Sequence, residues 1–133
     1  MVARAQRRHR VAVREGRARF QLGSAHALPL PDRSVDCAAS VNTLYFWPDL
    51  VPPILELARV LAPGGRLVLC YQVADAVRDW PGHVHGFTAH ADGCVDEALS
   101  GAGFRLQGEH RGEDRRVGRW RTVAAVRAAA SIR

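Results

Sequence analysis

The chain contains no lysine, only three cysteines and no long apolar run, and each shortage removes a class of function. All of its basic side chains other than histidine are arginine. Beside abundant alanine, that one-sided choice reflects the nucleotide composition of the coding sequence more than selection for phosphate binding. The formal charge of +6 is confined to residues 1–19, where seven Arg face one Glu, while twelve Arg balance twelve acidic residues elsewhere. Nucleic acid is thus an unlikely partner on charge alone. Cys37, Cys70 and Cys94 are odd in number and lack ligand spacing, which argues against a disulfide framework or a structural metal and for small apolar fillers in a reducing cytoplasm. No stretch approaches the apolar length a membrane helix needs, and the Arg-rich start lacks the apolar centre of a signal peptide. Glycine is scarce early: Gly16 and Gly23 are the only ones before Gly64.

What is present centres on residues 54–71. Ile54, Ala58 and Leu61 recur at helical spacing, and Pro63 with Gly64-Gly65 ends the helix near Ala62 by disfavouring helical geometry and supplying positive-φ turn positions. Leu67 to Tyr71 then reads as a strand buried on both faces of a mostly parallel sheet. Helix, tight turn and buried strand make half of a βαβ crossover.

Glu56-x-x-Arg59-Val60-Leu61-x-Pro63-Gly64-Gly65 follows Leu28-Pro29-Leu30-Pro31-Asp32-x-Ser34-Val35-Asp36 and Asn42-x-x-x-Phe46-Trp47. In this order and with these gaps, the set resembles the back half of a class I S-adenosylmethionine-dependent methyltransferase. The resemblance implies an α/β fold: a partial Rossmann-like sheet of parallel strands closed by a C-terminal antiparallel hairpin, with the first two strands missing. It covers residues 1–127, leaving 128–133 as a tail. It also implies S-adenosylmethionine as cofactor and, by analogy only, a small-molecule methyl acceptor.

Taken in order, Val2, Ala5, Ala12 and Val13 form a thin apolar stripe on an Arg-rich helix that stops at Gly16. It is either a basic arm for an acidic partner or, preferably, the solvated face of a sheet-covering helix. Residues 17–22 alternate and read as a strand. Gly23-Ser24-Ala25 then leaves its carboxyl end, where ligands bind in open α/β sheets. The resembling family usually has Gly-Asp-Ala here, contacting adenine; Ser24 offers a neutral and weaker acceptor, and Ala25 a backbone N–H. A plain strand-end turn is an equal alternative.

After an extended Pro-rich loop, Asp36 to Val41 reads as a buried strand ending in Asn42, Thr43, Leu44, Tyr45, Phe46 and Trp47. Asn42 resembles the family residue that approaches the methionine part of the cofactor. Phe46 and Trp47 either wall a substrate pocket or form a packing lid. Asp49 is expected to cap the next helix, on which Glu56 and Arg59 form an exposed pair worth a few tenths of a kcal/mol.

Residues 74–87 read as a variable loop carrying His83 and His85, with His90 beyond; a metal site from these and Cys94 is disfavoured by loose spacing. His83 or His85 is instead a possible general base for an oxygen or nitrogen nucleophile. Thr88 is expected to cap a helix that buries Cys94, Val95, Ala98 and Leu99. Two strands, from Phe104 to about His110 and from Trp120 to Val126, are joined too closely for anything but an antiparallel pair.

The glycine-rich turn and the acidic strand end by which the resembling family holds its cofactor have no counterpart here. The chain therefore reads as a methyltransferase deficient in cofactor binding, or as a noncatalytic remnant or interaction module. An upstream extension on the order of 40–60 residues would supply the missing strands, and residues 1–32, without sheet neighbours, are expected to be the least ordered.

Overall fold

The computed structural model describes residues 1–129, apart from the side chains of Gly82 and His83. Its elements in chain order are α1 (Val2–Arg8), α2 (Arg10–Arg14), β1 (Val35–Val41), α3 (Val51–Val60), β2 (Leu61–Gln72), α4 (Ala74–Asp79), α5 (Asp92–Gly101), β3 (Phe104–Asp114) and β4 (Gly118–Arg127). Single 3-10 turns occupy Leu44–Phe46 and Pro81–His85. The sheet runs β1-β2-β4-β3, with β1 and β2 parallel and both other pairings antiparallel. The mixed α/β sheet with its C-terminal hairpin is thus the one the sequence implies.

One face of the sheet carries the core. Leu67, Leu69 and Tyr71 of β2 and Val123 and Ala125 of β4 point to it, and Ile54 and Ala58 of α3 and Val95 and Leu99 of α5 close over them. Burying one such Leu or Val contributes roughly 1.5–3 kcal/mol, so these positions carry most of the stability. The N-cap of α3 is Leu50 rather than Asp49, which supports the helix start from one residue earlier, its Oδ1 accepting the Val51 N–H at 2.9 Å. Pro52 and Pro53 fit because they lie in the first turn.

The second face differs from expectation. Val68 and Cys70 are only half-buried, and Cys37, Ala39 and Val41 of β1 are exposed. Cysteines read as buried fillers therefore lie open or half open. The expected cover is lacking because α1 and α2, broken apart at His9, bury no residue fully. Residues 17–22 are not a strand. The Arg17 and Ala18 N–H groups donate to the Ala12 carbonyl, and Phe20 stacks on His9 with centroids 5.6 Å apart. Alternation makes a strand only where a ladder partner is within reach, and no described strand lies beside this segment.

The Pro-Gly-Gly turn is tighter than the pattern suggests. α3 ends at Val60, Leu61 already pairs with Val35, and the register then jumps so that Cys37 faces Arg66; residues 62–65 form the irregularity between. Gly64 takes φ +77°, whereas Gly65 serves by being small, since a Cβ there would lie 2.7 Å from the Ala62 carbonyl oxygen. The α3 carbonyls left without helical partners at Arg59 and Val60 accept the Arg33 and Ser34 N–H groups at 2.9 and 2.8 Å. That pair of bonds sets where β1 begins.

Glu56 and Arg59 do more than decorate a surface. Glu56 accepts the Leu28 N–H at 2.6 Å, while Arg59 donates to the carbonyls of Leu30 and Leu28 at 2.9 and 3.1 Å and to Asp32 at 2.7 Å. The pair thereby fastens the Pro-rich loop onto α3. The hydrogen bond from Arg59 is the main cause that lowers the Glu56 carboxyl to a pKa of about 2, with the Leu28 N–H adding to it against the opposing effect of burial.

The C-terminal half shows two further corrections. Thr88 does not cap α5; its N–H donates to the Tyr45 carbonyl at 2.8 Å, and Ala91 precedes the helix. Cys94 is exposed, because α5 begins later than Thr88 and only Val95 and Leu99 face the core fully.

Candidate active site

The parallel strands β1 and β2 end at the same edge of the sheet, so the turns that follow them open on one mouth. Asn42 leaves β1 in left-handed backbone geometry, φ +55°, pinned by its N–H to the Cys70 carbonyl at 2.8 Å. Asparagine is among the few non-glycine residues that visit this region, and such a residue at a strand end is a mark of constraint. Ser40 and Thr43 join hydroxyls across the bend and hold it closed.

The 3-10 turn that follows sends Leu44 into the core and leaves Phe46 58% exposed. Tyr45, Phe46, Trp80 and Phe87 meet there. Phe87 lies at the centre, with ring centroids 5.4 Å from Tyr45, 5.0 Å from Phe46 and 5.0 Å from Trp80. Opposite this wall stands the tip of the β3–β4 hairpin. Gln72, the last residue of β2, donates its amide to the Val117 carbonyl, and Asp114 Oδ1 accepts the Arg116 and Val117 N–H groups at 2.7 and 3.3 Å.

Between wall and hairpin lies a cavity of about 620 Å³. Asn42, Tyr45, Phe46, Trp80 and Phe87 line one side and Glu113, Arg116, Val117 and Arg119 the other, with Gln72 and Asp79 between. Two carboxylates and two guanidinium groups balance its formal charge. Burial pushes the Tyr45 phenol upward, so its hydroxyl stays protonated through neutral pH and can donate a hydrogen bond. The chemistry on offer is apolar contact with a few polar groups at the rim, which is how small-molecule sites are built.

Of the three residues proposed for the cofactor, Asn42 lines this cavity, and Ser24 and Ala25 do not. Ser24 Oγ accepts the His26 N–H at 3.2 Å, and Ser24 pairs with Ala27 in an isolated antiparallel bridge. His85 is exposed and does not line the cavity; the His83 side chain lies outside the described residues. His90 has a different job, donating from Nε2 to the Trp47 carbonyl at 2.7 Å. Among the described residues no group of three His, Cys, Asp or Glu side chains could hold a metal ion. Nor is any helix among them long and apolar enough to cross a membrane.

Trp80, Phe87 and the hairpin tip were missed in the sequence, because they converge on Tyr45 only in three dimensions. A second feature left a trace there. Arg121 shares the inward parity of Val123 and Ala125, is 3% exposed, and donates to the Tyr71 hydroxyl and Asp96 Oδ1 at 2.9 and 2.8 Å and to Glu109 at 2.5 Å. Tyr71 in turn donates to Asp92 at 2.9 Å. This network ties α5 to three strands on the core face and takes no part in the cavity.

A sequence profile of the family described as "Methyltransferase domain" matches residues 1–69. An uncharacterized methyltransferase of Mycobacterium bovis is 46% identical over 59 residues, 44% of this chain and 24% of that protein. The 27-O-demethylrifamycin SV methyltransferase of Amycolatopsis mediterranei is 42% identical over 55 residues, 41% of this chain and 20% of that one. The matched stretch thus spans about a quarter or less of these curated relatives. Geranyl diphosphate C-methyltransferase from Streptomyces coelicolor superposes with a TM-score of 0.78 at 15% identity, covering 96% of this chain and 60% of that one. The cyclase SpnF superposes at 0.79 with 20% identity, covering 97% of this chain and 63% of that one. At such identities the superpositions speak to fold alone.

Proposed function

The chain belongs to the methyltransferase domain family, and on that premise we propose that it serves S-adenosylmethionine-dependent methyl transfer to a small-molecule acceptor. One observation carries the reading: Asn42, in left-handed geometry at the carboxyl end of β1, stands at the mouth of a cavity walled by four aromatic rings. When bound, S-adenosylmethionine supplies an electrophilic methyl group. Asn42 would hold the methionine end of the cofactor, and Ser24 and Ala25 the adenine side.

The fit of these residues is partial. Asn42 carries an amide at the cavity, but the Ser24 hydroxyl is engaged by the His26 N–H, and neither Ser24 nor Ala25 reaches the cavity lining. What the chain's own residues do is position: the aromatic wall offers ring surface to a guest, Gln72 fixes the hairpin against it, and the neutral Tyr45 hydroxyl can hydrogen-bond a polar group of that guest.

We further propose that the chain as given binds S-adenosylmethionine weakly or not at all. Calorimetric titration of the 133 residues tests this. Weak uptake, far from saturation at micromolar cofactor, is the expected result. Tight binding would overturn the deficiency; no uptake at any concentration would favour a noncatalytic interaction module.

A further inference from the structure

The cavity at the hairpin tip has two walls that differ in chemistry. Phe87 sits between Tyr45, Phe46 and Trp80 at centroid separations of 5.0–5.4 Å, yet the cluster is not sealed: Phe46 is 58% and Trp80 47% exposed. A packing lid would bury Phe46, whereas a binding wall leaves its face open to a guest. Across the gap the Val117 side chain, 44% exposed, adds apolar surface, and the charges of Asp79, Glu113, Arg116 and Arg119 cancel.

We propose that this cavity is the acceptor subsite and selects an uncharged, ring-bearing acceptor, stacked on the Phe46–Phe87–Trp80 wall with its polar substituent bonded to the Tyr45 hydroxyl. The inference rests on the reading of the site as a methyl-transfer site and adds the substrate class. A volume of about 620 Å³ is enough for a fused two-ring or three-ring molecule. Ring faces discriminate between flat unsaturated guests and saturated ones of the same skeleton, because offset stacking and edge-to-face contacts add to simple area burial. An acceptor of single net charge would leave one pair of cavity side chains unbalanced, so an uncharged one fits better.

The test is direct binding to the whole 133-residue chain, without cofactor, followed by calorimetry or ligand-observed NMR. The probes are 2-naphthol and its saturated counterpart decahydro-2-naphthol. 2-Naphthol should bind about five-fold more tightly, a preference expected from ring–ring contact. Phe87→Leu should reduce the preference most, and Phe46→Ala, at a half-exposed ring, should reduce it in a chain that still unfolds cooperatively. Tyr45→Phe should weaken both hydroxyl-bearing probes while the ratio between them survives. Equal affinity for the two probes, or a preference that persists in Phe46→Ala and Phe87→Leu, overturns the proposal. Ring preference with no S-adenosylmethionine uptake at any concentration would sink the methyl-transfer reading alone; weak uptake without ring preference would sink this one alone.

Discussion

Glu56 accepts the backbone N–H of Leu28 at 2.6 Å, so a side chain on α3 holds a loop 28 positions upstream. Arg59 completes the clasp by bonding the Leu28 and Leu30 carbonyls. A pair that reads as an ordinary helix-surface couple is the joint between the N-terminal third of the chain and the sheet.

The clasp should make stability depend on acid pH. Folded, the Glu56 carboxyl has a pKa of about 2 against an ordinary 4.5, so its contribution is complete above pH 4.5 and is lost as pH falls towards 2. Melting curves between pH 2 and 6 should show this loss in the wild type, and Glu56→Gln should flatten it while lowering the melting temperature at pH 7. An unchanged pH slope in the variant would show that Glu56 does not carry the effect.

Arg121 is the buried cation of the core face, and its removal should cost more than any surface arginine. Arg121→Met leaves the Tyr71 hydroxyl and the Asp96 carboxylate without this donor and leaves Glu109 with Arg111 at 3.3 Å. Because both carboxylates are partly exposed, the expected loss is about 2 kcal/mol rather than that of a fully buried pair. Arg78→Met, whose ion pair with Asp75 is exposed, should cost about 0.5 kcal/mol or less. Denaturant titration that ranked the two equally would refute the distinction.

The two turn glycines should respond differently to substitution. Gly64→Ala meets no neighbour but forces a side chain into φ +77°, a cost of about 1 kcal/mol, and Gly64→Val should cost more. Gly65→Ala drives a Cβ to 2.7 Å from the Ala62 carbonyl oxygen and 3.2 Å from that of Asp36, so it should disturb the β1–β2 register itself. Ser24→Ala, on an exposed turn, should shift the melting temperature little. The order Gly65→Ala, Gly64→Ala, Ser24→Ala in thermal denaturation checks the geometry.

Asn42 lies where function and stability should part. Asn42→Gly relieves the left-handed strain and should leave stability unchanged or raise it by up to about 1 kcal/mol, while Asn42→Val should destabilise. Asn42→Gly should nevertheless weaken the S-adenosylmethionine affinity, read by ligand-observed NMR. Unaltered affinity would remove Asn42 from the cofactor site.

Much of the architecture was legible because it rests on local chemistry. Pro63 and the two glycines end a helix and turn the chain, the Leu67–Tyr71 run after them reads as a strand although only one of its faces is fully buried, and the short link between the last two strands admits only antiparallel pairing. Those features also carry the family resemblance. The sequence misled where an element needs a distant partner to exist: residues 17–22 alternate like a strand but have no ladder to join, and Cys37 and Cys70 read as buried beneath a layer that does not close over them.

The site belongs to the same division. Asn42 could be singled out from its place after a strand, since strand ends at one sheet edge are where ligands gather. Trp80, Phe87 and Val117 could not, for they lie 35 to 75 residues beyond Tyr45 and Asn42 and meet them through the Thr88–Tyr45 and Gln72–Val117 bonds. Residue type and spacing determine which segments are helix, turn and strand, because those choices are made within a few residues. Which side chains share a cavity, which glycine is needed for φ and which for space, and that Glu56 clasps a loop rather than facing solvent were decided only by tertiary packing, where the partner of each group is set by the whole sheet.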